Sequence, residues 1–392
     1  MPPTLATTAD PSGPGRGTVD DKDRRLRVVF LDHTAAPSGA ELALLTVLEH
    51  LDVDRHVVLG ADGPLRNRLE ALAGVDLLTM PEHLEGASRA GGGGLAIVDL
   101  LPYAVRLARR LRALQPDLVY ANSLRSGIYG GLASRLAGVP MVWHVRDRIA
   151  ADYLGERRAF VTGRLIRLLS RHVIANSSAT AATLPRGVPT TVVASPLSGT
   201  AVDRPARSGP LTYVSASRLS PWKGQDVFLR AFAEAFPGGD QQAVVLGSAH
   251  FGEHGFADSL RSLAGELGLA DRVVFRGHRD DVMAELAQAD VLVHSPALPE
   301  PFGRVIVEGL AAGLVVIARG DGGPAETITP GVDGLLYPPD RPEELVRLLR
   351  LIDGDSALRQ QLTVAGRVRA RDYAPERVAA QVLAVCRAAA RR

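Results

Sequence analysis

The chain is 392 residues long, 46% apolar and 22% charged, with a net charge of +2 at pH 7. That length exceeds a single hydrophobic core and predicts two domains of ordinary size, while the near-neutral balance excludes a general affinity for nucleic acid. The single cysteine, Cys386, excludes an internal disulfide and a cysteine-based zinc site, and no apolar run approaches the ~20 residues that span a bilayer. Residues 1–25 mix Pro, Gly, Thr and Asp without an apolar centre, so they read as a disordered tail rather than a signal peptide, and the chain reads as cytoplasmic.

Arg27-Val28-Val29-Phe30-Leu31 is the first predicted strand, and Glu41 to Leu48 the first helix. Between them Ser38-Gly39-Ala40 makes a strand-to-helix turn in which glycine lets backbone N–H groups approach an anion. Strands follow at His56–Leu59, Val75–Leu78, Asp117–Ala121, Met141–Val145, His172–Ala175 and Thr191–Val193, with helices between them. This alternation is that of a doubly wound parallel sheet. The glycine-rich stretch from Glu85 to Gly94 reads as a linker, with an acceptor-covering lid as the lesser alternative. Asn122-Ser123 and His144-Val145-Arg146-Asp147 end two strands and place polar groups in the crevice. Arg157, Arg164, Arg167 and Arg171 fall on one predicted helical face beside Leu165, Ile166 and Leu169. Such a helix can lie on an anionic membrane or be half-buried with a solvated face; the second reading is the default.

Regular pattern stops at 197–210, the predicted interdomain linker, and alternation restarts with Leu211–Ser215. Arg218 and Lys223 flank the carboxyl end of that strand, where two cations can hold a diphosphate. After strands at Ala243–Gly247 and Arg272–Phe275 comes the segment Arg276-Gly277-His278. Asp280-Asp281 next to it reads as a helix start, where acidic residues are favoured, and not as a metal site. Asp290–His294 is a buried strand, and Pro299 and Pro301 forbid helix around Glu300. From Gly303 the pattern turns helical, with Glu308 inside the helix, until Gly313 ends it before the strand Leu314–Ala318. Taken singly, Glu300 is a loop charge and Glu308 a solvated helix charge. A glycosidase pair would need carboxyls ~5–10 Å apart across one bond, which this spacing does not ensure.

Glu300, Phe302-Gly303, Glu308 eight positions after the first glutamate, a small-residue helix end and an apolar strand together resemble the signature of retaining nucleotide-sugar glycosyltransferases of family four. Arg218-Leu219 with Lys223-Gly224 resembles a second signature of that family. The resemblance implies GT-B architecture: an α/β fold of two Rossmann-like, doubly wound domains facing across a cleft. It implies an acceptor domain over 26–196, to which the helix at 375–392 returns, and a donor domain over 211–374. The implied activity is transfer of a sugar from a nucleotide-diphosphate donor to an acceptor hydroxyl with retention of configuration, without metal or other cofactor. In that reading Arg218 and Lys223 stabilise the departing diphosphate, aided by N–H groups at Gly39 and Gly303. Glu300 holds donor-sugar hydroxyls, Glu308 the ribose hydroxyls, and His144 the sugar from the opposite domain. Arg276, Gly277 and His278 meet the base, Phe302 and Arg304 complete the donor-binding set, and the loop from Gly322 to Glu326 lies beside it. The acceptor is a small molecule, a glycan or a lipid-linked molecule, with peripheral contact with anionic membrane left open and nucleic acid excluded. Ser198-Gly199-Thr200-Ala201-Val202-Asp203 stands where members often have an Asn-Gly-Val-Asp-like turn, a departure that bears on the hinge and not on the chemistry. A non-catalytic nucleotide-sugar-binding subunit and a GT-B phosphorylase are the alternatives.

Overall fold

In a computed structural model of the chain, residues 25–80, 100–199, 204, 209–249 and 253–391 are described. The expected tail up to residue 24, the glycine-rich stretch at 85–94 and most of the linker lie outside them. The first sheet holds β1 (Arg27–Asp32), β2 (Asp54–Leu59), β3 (Gly74–Leu77), β4 (Leu118–Ala121), β5 (Met141–Val145), β6 (His172–Ala175) and β7 (Thr190–Val192) in the order β3-β2-β1-β4-β5-β6-β7. The second holds β8 (Thr212–Ala216), β9 (Gln242–Leu246), β10 (Val273–Gly277), β11 (Val291–His294), β12 (Val315–Arg319) and β13 (Leu335–Tyr337) in the order β10-β9-β8-β11-β12-β13. Every strand pairing is parallel. A parallel sheet must be covered on both faces, which is why its strands read as unbroken Val/Ile/Leu runs.

The longer helices are α1 (Gly39–His50), α2 (Leu101–Leu114), α3 (Leu124–Ala137), α4 (Glu156–Leu169), α5 (Gln225–Ala235), α6 (His254–Glu266), α7 (Arg304–Ala312), α8 (Glu343–Gly354), α9 (Ser356–Ala370) and α10 (Pro375–Ala390). On the first sheet α2, α3 and α4 bury one face around Tyr103, Tyr129, Trp143 and Ile166. The opposite face is covered by α1 and α10; Val378, Val382 and Cys386 pack with Phe30, Leu45 and Tyr120. The C-terminal helix therefore completes the first sheet's core. The chain passes between the two sheets at adjacent points, where the Leu197 N–H donates to the Tyr373 carbonyl at 2.8 Å. Arg204 ties the intervening segment to the second sheet through Asp290 and the carbonyls of Ala289 and Gly313, each at 2.7 Å.

Two local expectations change. α4 ends at Leu169, so Arg171 lies off its face and donates instead to the Arg391 carbonyl. Arg276 and Gly277 end β10 rather than forming a loop, and a register shift between Phe275 and Gly277 bulges that strand.

Packing at the first sheet is tight where α3 crosses β5. A Cβ on Gly127 would lie 1.7 Å from the fully buried Trp143 ring. Gly127→Ala should therefore cost about 3 kcal/mol or more and lower the melting temperature by roughly 5–10 °C. An unchanged thermal melt would contradict this packing.

Candidate functional site

The strand orders reverse between β1 and β4 in one sheet and between β8 and β11 in the other. At such switch points the loops leaving the carboxyl ends diverge and open a crevice, the usual ligand site of open α/β sheets. The loops after β8 and β11 carry Lys223 and Glu300. Ser220 leads into a single 3-10 turn, Pro221–Lys223, stopped by Gly224 at φ +66°. A Cβ on Gly224 would sit 1.8 Å from the Ser295 carbonyl oxygen, and the Ser295 hydroxyl donates to the Gly224 carbonyl at 2.8 Å. This close approach locks the two loops together. It brings Lys223 Nζ to 2.6 Å from Glu300 Oε2, with the ammonium 4.0 Å from the centre of the Trp222 ring.

Glu300 is fixed from the other side by Gly322, whose φ of +68° and absent side chain let it bridge to the Glu300 backbone. The Glu300 carboxylate also lies 3.4 Å from His294 Nε2. Burial alone would raise the pKa of Glu300, but the Lys223 charge and the His294 hydrogen bond outweigh it and hold the carboxyl down to about 2. It is a permanently charged, oriented acceptor of hydrogen bonds.

Gly303, at φ +87°, begins α7. On its first turns Arg304 Nη2 donates to Glu308 at 3.1 Å and to the Ser198 hydroxyl at 2.6 Å, while Nη1 donates to the Gly39 carbonyl at 2.9 Å. Glu308 is thus a buried carboxylate, not a solvated helix charge. Burial raises its pKa and Arg304 opposes the rise. Arg304 also joins the sheets, because Gly39 opens α1. Further links run from the Ser177 hydroxyl to the Pro301 carbonyl at 2.6 Å, and from the N–H groups of Ser178 and Ala179 to Glu326 at 2.8 and 2.6 Å.

The other candidates fall as follows. Arg218 lies 3.6 Å from Glu253. Arg276 and His278 are exposed at the rim, and Gly277 is half-buried with its carbonyl accepting from Gly247 at 2.9 Å. The Phe302 ring packs on Tyr373, 5.8 Å between centres, so that side chain belongs to a small core and not to a ligand surface. His144 is 1% exposed and hydrogen-bonded to the Tyr120 hydroxyl, with its Nε2 buried and without a partner in the structure. Burial, reinforced by the Arg146 charge, lowers its pKa well below the ordinary histidine value. The imidazole is neutral at pH 7.

Across the cleft, at the β1–β4 switch point, the crevice residues Asn122, Ser123 and Arg146 meet three groups to which the sequence assigns no role, Asp32, His33 and Glu41. Asn122 donates to Asp32 at 2.7 Å and to the Ala40 carbonyl, and accepts from Arg146 at 2.9 Å. His33 Nδ1 is 3.2 Å from Asp32, 3.0 Å from Ser123 and 3.8 Å from Glu41. Burial and the neighbouring Asp32 charge push the Glu41 carboxyl up to about 7, against the pull of His33. Among the described residues Asp32, His33 and Glu41 have ligating atoms within 4.8 Å of one another. The available signal was Asp32 closing β1 and His33 directly after it, with an acidic residue opening an otherwise apolar helix. His294 was missed because it closes a run that reads as plain buried strand.

Two doubly wound parallel sheets joined by Arg304, Ser177 and Glu326, with their switch-point loops in the crevice, define the GT-B class of glycosyltransferase fold. Residues 37–196 match the family described as Glycosyltransferase Family 4, and residues 202–369 the family described as Glycosyl transferases group 1. The chain is 30% identical over 349 residues to the GDP-mannose-dependent alpha-mannosyltransferase of Mycobacterium tuberculosis, covering 80% of this chain and 84% of that relative. Its fold superposes on the crystal structure of Anabaena Alr3699/HepE in complex with UDP and glucose with a TM-score of 0.79, at 27% identity, over 92% of this chain and 99% of that one. With some other curated relatives it shares under a third of their length. One is the D-inositol 3-phosphate glycosyltransferase of Rhodococcus opacus, 34% identical over 36% of this chain and 32% of that protein. The chain belongs to the family-four glycosyltransferases. Among the described residues no helix is long and apolar enough to cross a membrane.

Proposed function

We propose that the chain transfers a hexosyl unit from a nucleotide-diphosphate sugar to an acceptor hydroxyl with retention of anomeric configuration. The observation that carries this reading is the Lys223–Glu300 pair at the β8–β11 switch point, 2.6 Å apart, with Glu308 on the helix that follows. Lys223 and Arg218 neutralise the departing diphosphate, and N–H groups at the start of α7 and α1 receive its oxygens. Glu300 holds the hydroxyls of the sugar as charge develops on it. Glu308 accepts from the ribose, and the base lies along Arg276, Gly277 and His278. His144 offers its unpartnered Nε2 to the sugar from the first domain. Domain limits of 26–196 with 375–392, a linker at 197–210 and a donor domain at 211–374 complete the reading. Incubation with a panel of UDP and GDP sugars, with release of nucleoside diphosphate as readout, tests it. Absence of turnover or binding with every donor would overturn it.

Two expected outcomes follow from the assigned roles. Glu308→Gln removes ribose contacts made equally in ground and transition states, so donor KM should rise about tenfold with kcat little changed. Wild-type donor KM should also climb as pH falls through the raised pKa of Glu308, a limb that the glutamine variant lacks. An unaltered KM in the variant would remove Glu308 from the donor site. Because Lys223 and Arg218 supply the positive charge, turnover should survive EDTA. Loss with chelator and recovery with Mg²⁺ or Mn²⁺ would transfer that role to a cation and direct attention to Asp32, His33 and Glu41.

A further inference from the structure

The outer surface of the helical layer formed by α2, α3 and α4 is strongly basic. These helices lie side by side, with α3 packing against both neighbours, and bury a common apolar face against the first sheet. Together they contain ten arginines and one acidic residue, Glu156, in a chain whose net charge is only +2. Nine of the ten arginines are exposed.

On α4 the charge is interleaved with apolar surface. At 3.6 residues per turn, Arg157, Phe160, Val161, Arg164, Arg167 and Leu168 fall within an arc of about 120°. The buried residues Gly163, Ile166 and Leu169 lie on the opposite side. Phe160 is 64% exposed, Leu168 57% and Val161 40%. The Arg164 guanidinium stacks over the Phe160 ring at 5.0 Å. Among the described residues no carboxylate forms an ion pair with Arg157, Arg164 or Arg167. A merely solvated helix face has no reason to hold three large apolar side chains outward among unneutralised arginines.

We propose that this face, centred on α4, docks the protein onto an anionic lipid surface. Phe160, Val161 and Leu168 enter the headgroup–acyl boundary, while the arginines extend their stems along them and hold their guanidinium groups at lipid phosphates. The arginines on α2 and α3 add longer-range attraction to the same plane. Apolar side chains between the arginines favour lipid over nucleic acid, whose backbone offers them nothing to bury against. The surface is separate from the cleft residues, so docking and donor turnover are separable.

Flotation of the full chain with phosphatidylcholine vesicles, with and without phosphatidylglycerol, tests the proposal. Binding is expected only with phosphatidylglycerol and should weaken with salt. Each arginine near the surface contributes roughly fivefold, so Arg164→Glu with Arg167→Glu should lower partitioning by about twenty-five-fold or more. Arg164→Gln with Arg167→Gln gives a smaller loss and guards against misfolding. Phe160→Ser with Leu168→Ser should abolish the binding that persists at high salt. Donor turnover without vesicles should stay at the wild-type level in all three. No binding to phosphatidylglycerol vesicles, or binding indifferent to these variants, would overturn the proposal. So would displacement by duplex DNA together with indifference to Phe160→Ser and Leu168→Ser, which would make nucleic acid the occupant.

Discussion

Glu300→Gln lowers kcat for sugar transfer by roughly two to three orders of magnitude, the loss typical of removing one preorganised electrostatic contact to a transition state. Glutamine keeps the volume and discards the charge. The carboxylate is held by Lys223 and His294 and stays ionised down to about pH 2, so it needs no reorganisation when positive charge develops on the transferred sugar. Its contribution is therefore larger in the transition state than in the ground state, and donor KM should move little. Steady-state kinetics against donor, with thermal melts for folding, measure the effect. A folded variant with wild-type kcat would make the Lys223–Glu300 pair a structural brace and remove Glu300 from the chemistry.

Lys223→Ala weakens nucleoside-diphosphate binding by about 2–5 kcal/mol, a thirtyfold loss at the least, as expected for truncating one partner of a buried charged contact. Calorimetry with UDP and GDP reads this directly. The same substitution strips Glu300 of its principal counter-charge. Burial then pushes the carboxyl upward from its wild-type value, opposed only by His294. In the wild type the stabilisation from Glu300 is present above its unfolded pKa and fades as pH falls from about 4.5 toward 2. In the variant the buried carboxylate, left with His294 alone, is most costly at neutral pH and is relieved by protonation. The difference in melting temperature between the two proteins should therefore be widest near pH 7 and narrow in acid. Equal diphosphate affinity, or a pH-independent gap, would contradict the assignment.

Much of the fold is written in local pattern. Unbroken apolar runs such as Val28–Leu31 and Val291–Val293 specify buried parallel strands, and glycines at 303 and 313 bound α7 at both ends. The two carboxylates were legible because their spacing, the flanking prolines and the glycine are local signals. Long-range partners were not. Nothing near Arg304 in sequence announces Gly39 or Ser198. His294 ends an apolar strand and shows its role only when the loop after it folds back to place Glu300 beside it. Likewise Asp32, His33 and Glu41 meet because β1, its loop and α1 converge with Asn122 from β4. His144 shows another limit: that its Nδ1 is tied to the Tyr120 hydroxyl while Nε2 is left without a partner depends on packing that short-range pattern does not contain.

The central claim is that a nucleotide sugar is cleaved and transferred at the Lys223–Glu300–Glu308 crevice with its configuration kept. The most direct measurement is proton NMR of the first sugar product formed by wild type and Glu300→Gln from an α-linked UDP or GDP sugar. The wild type should release the α anomer with stoichiometric nucleoside diphosphate, and the folded variant should form it at least a hundredfold more slowly. A β product, or equal rates in the two proteins, would contradict the account.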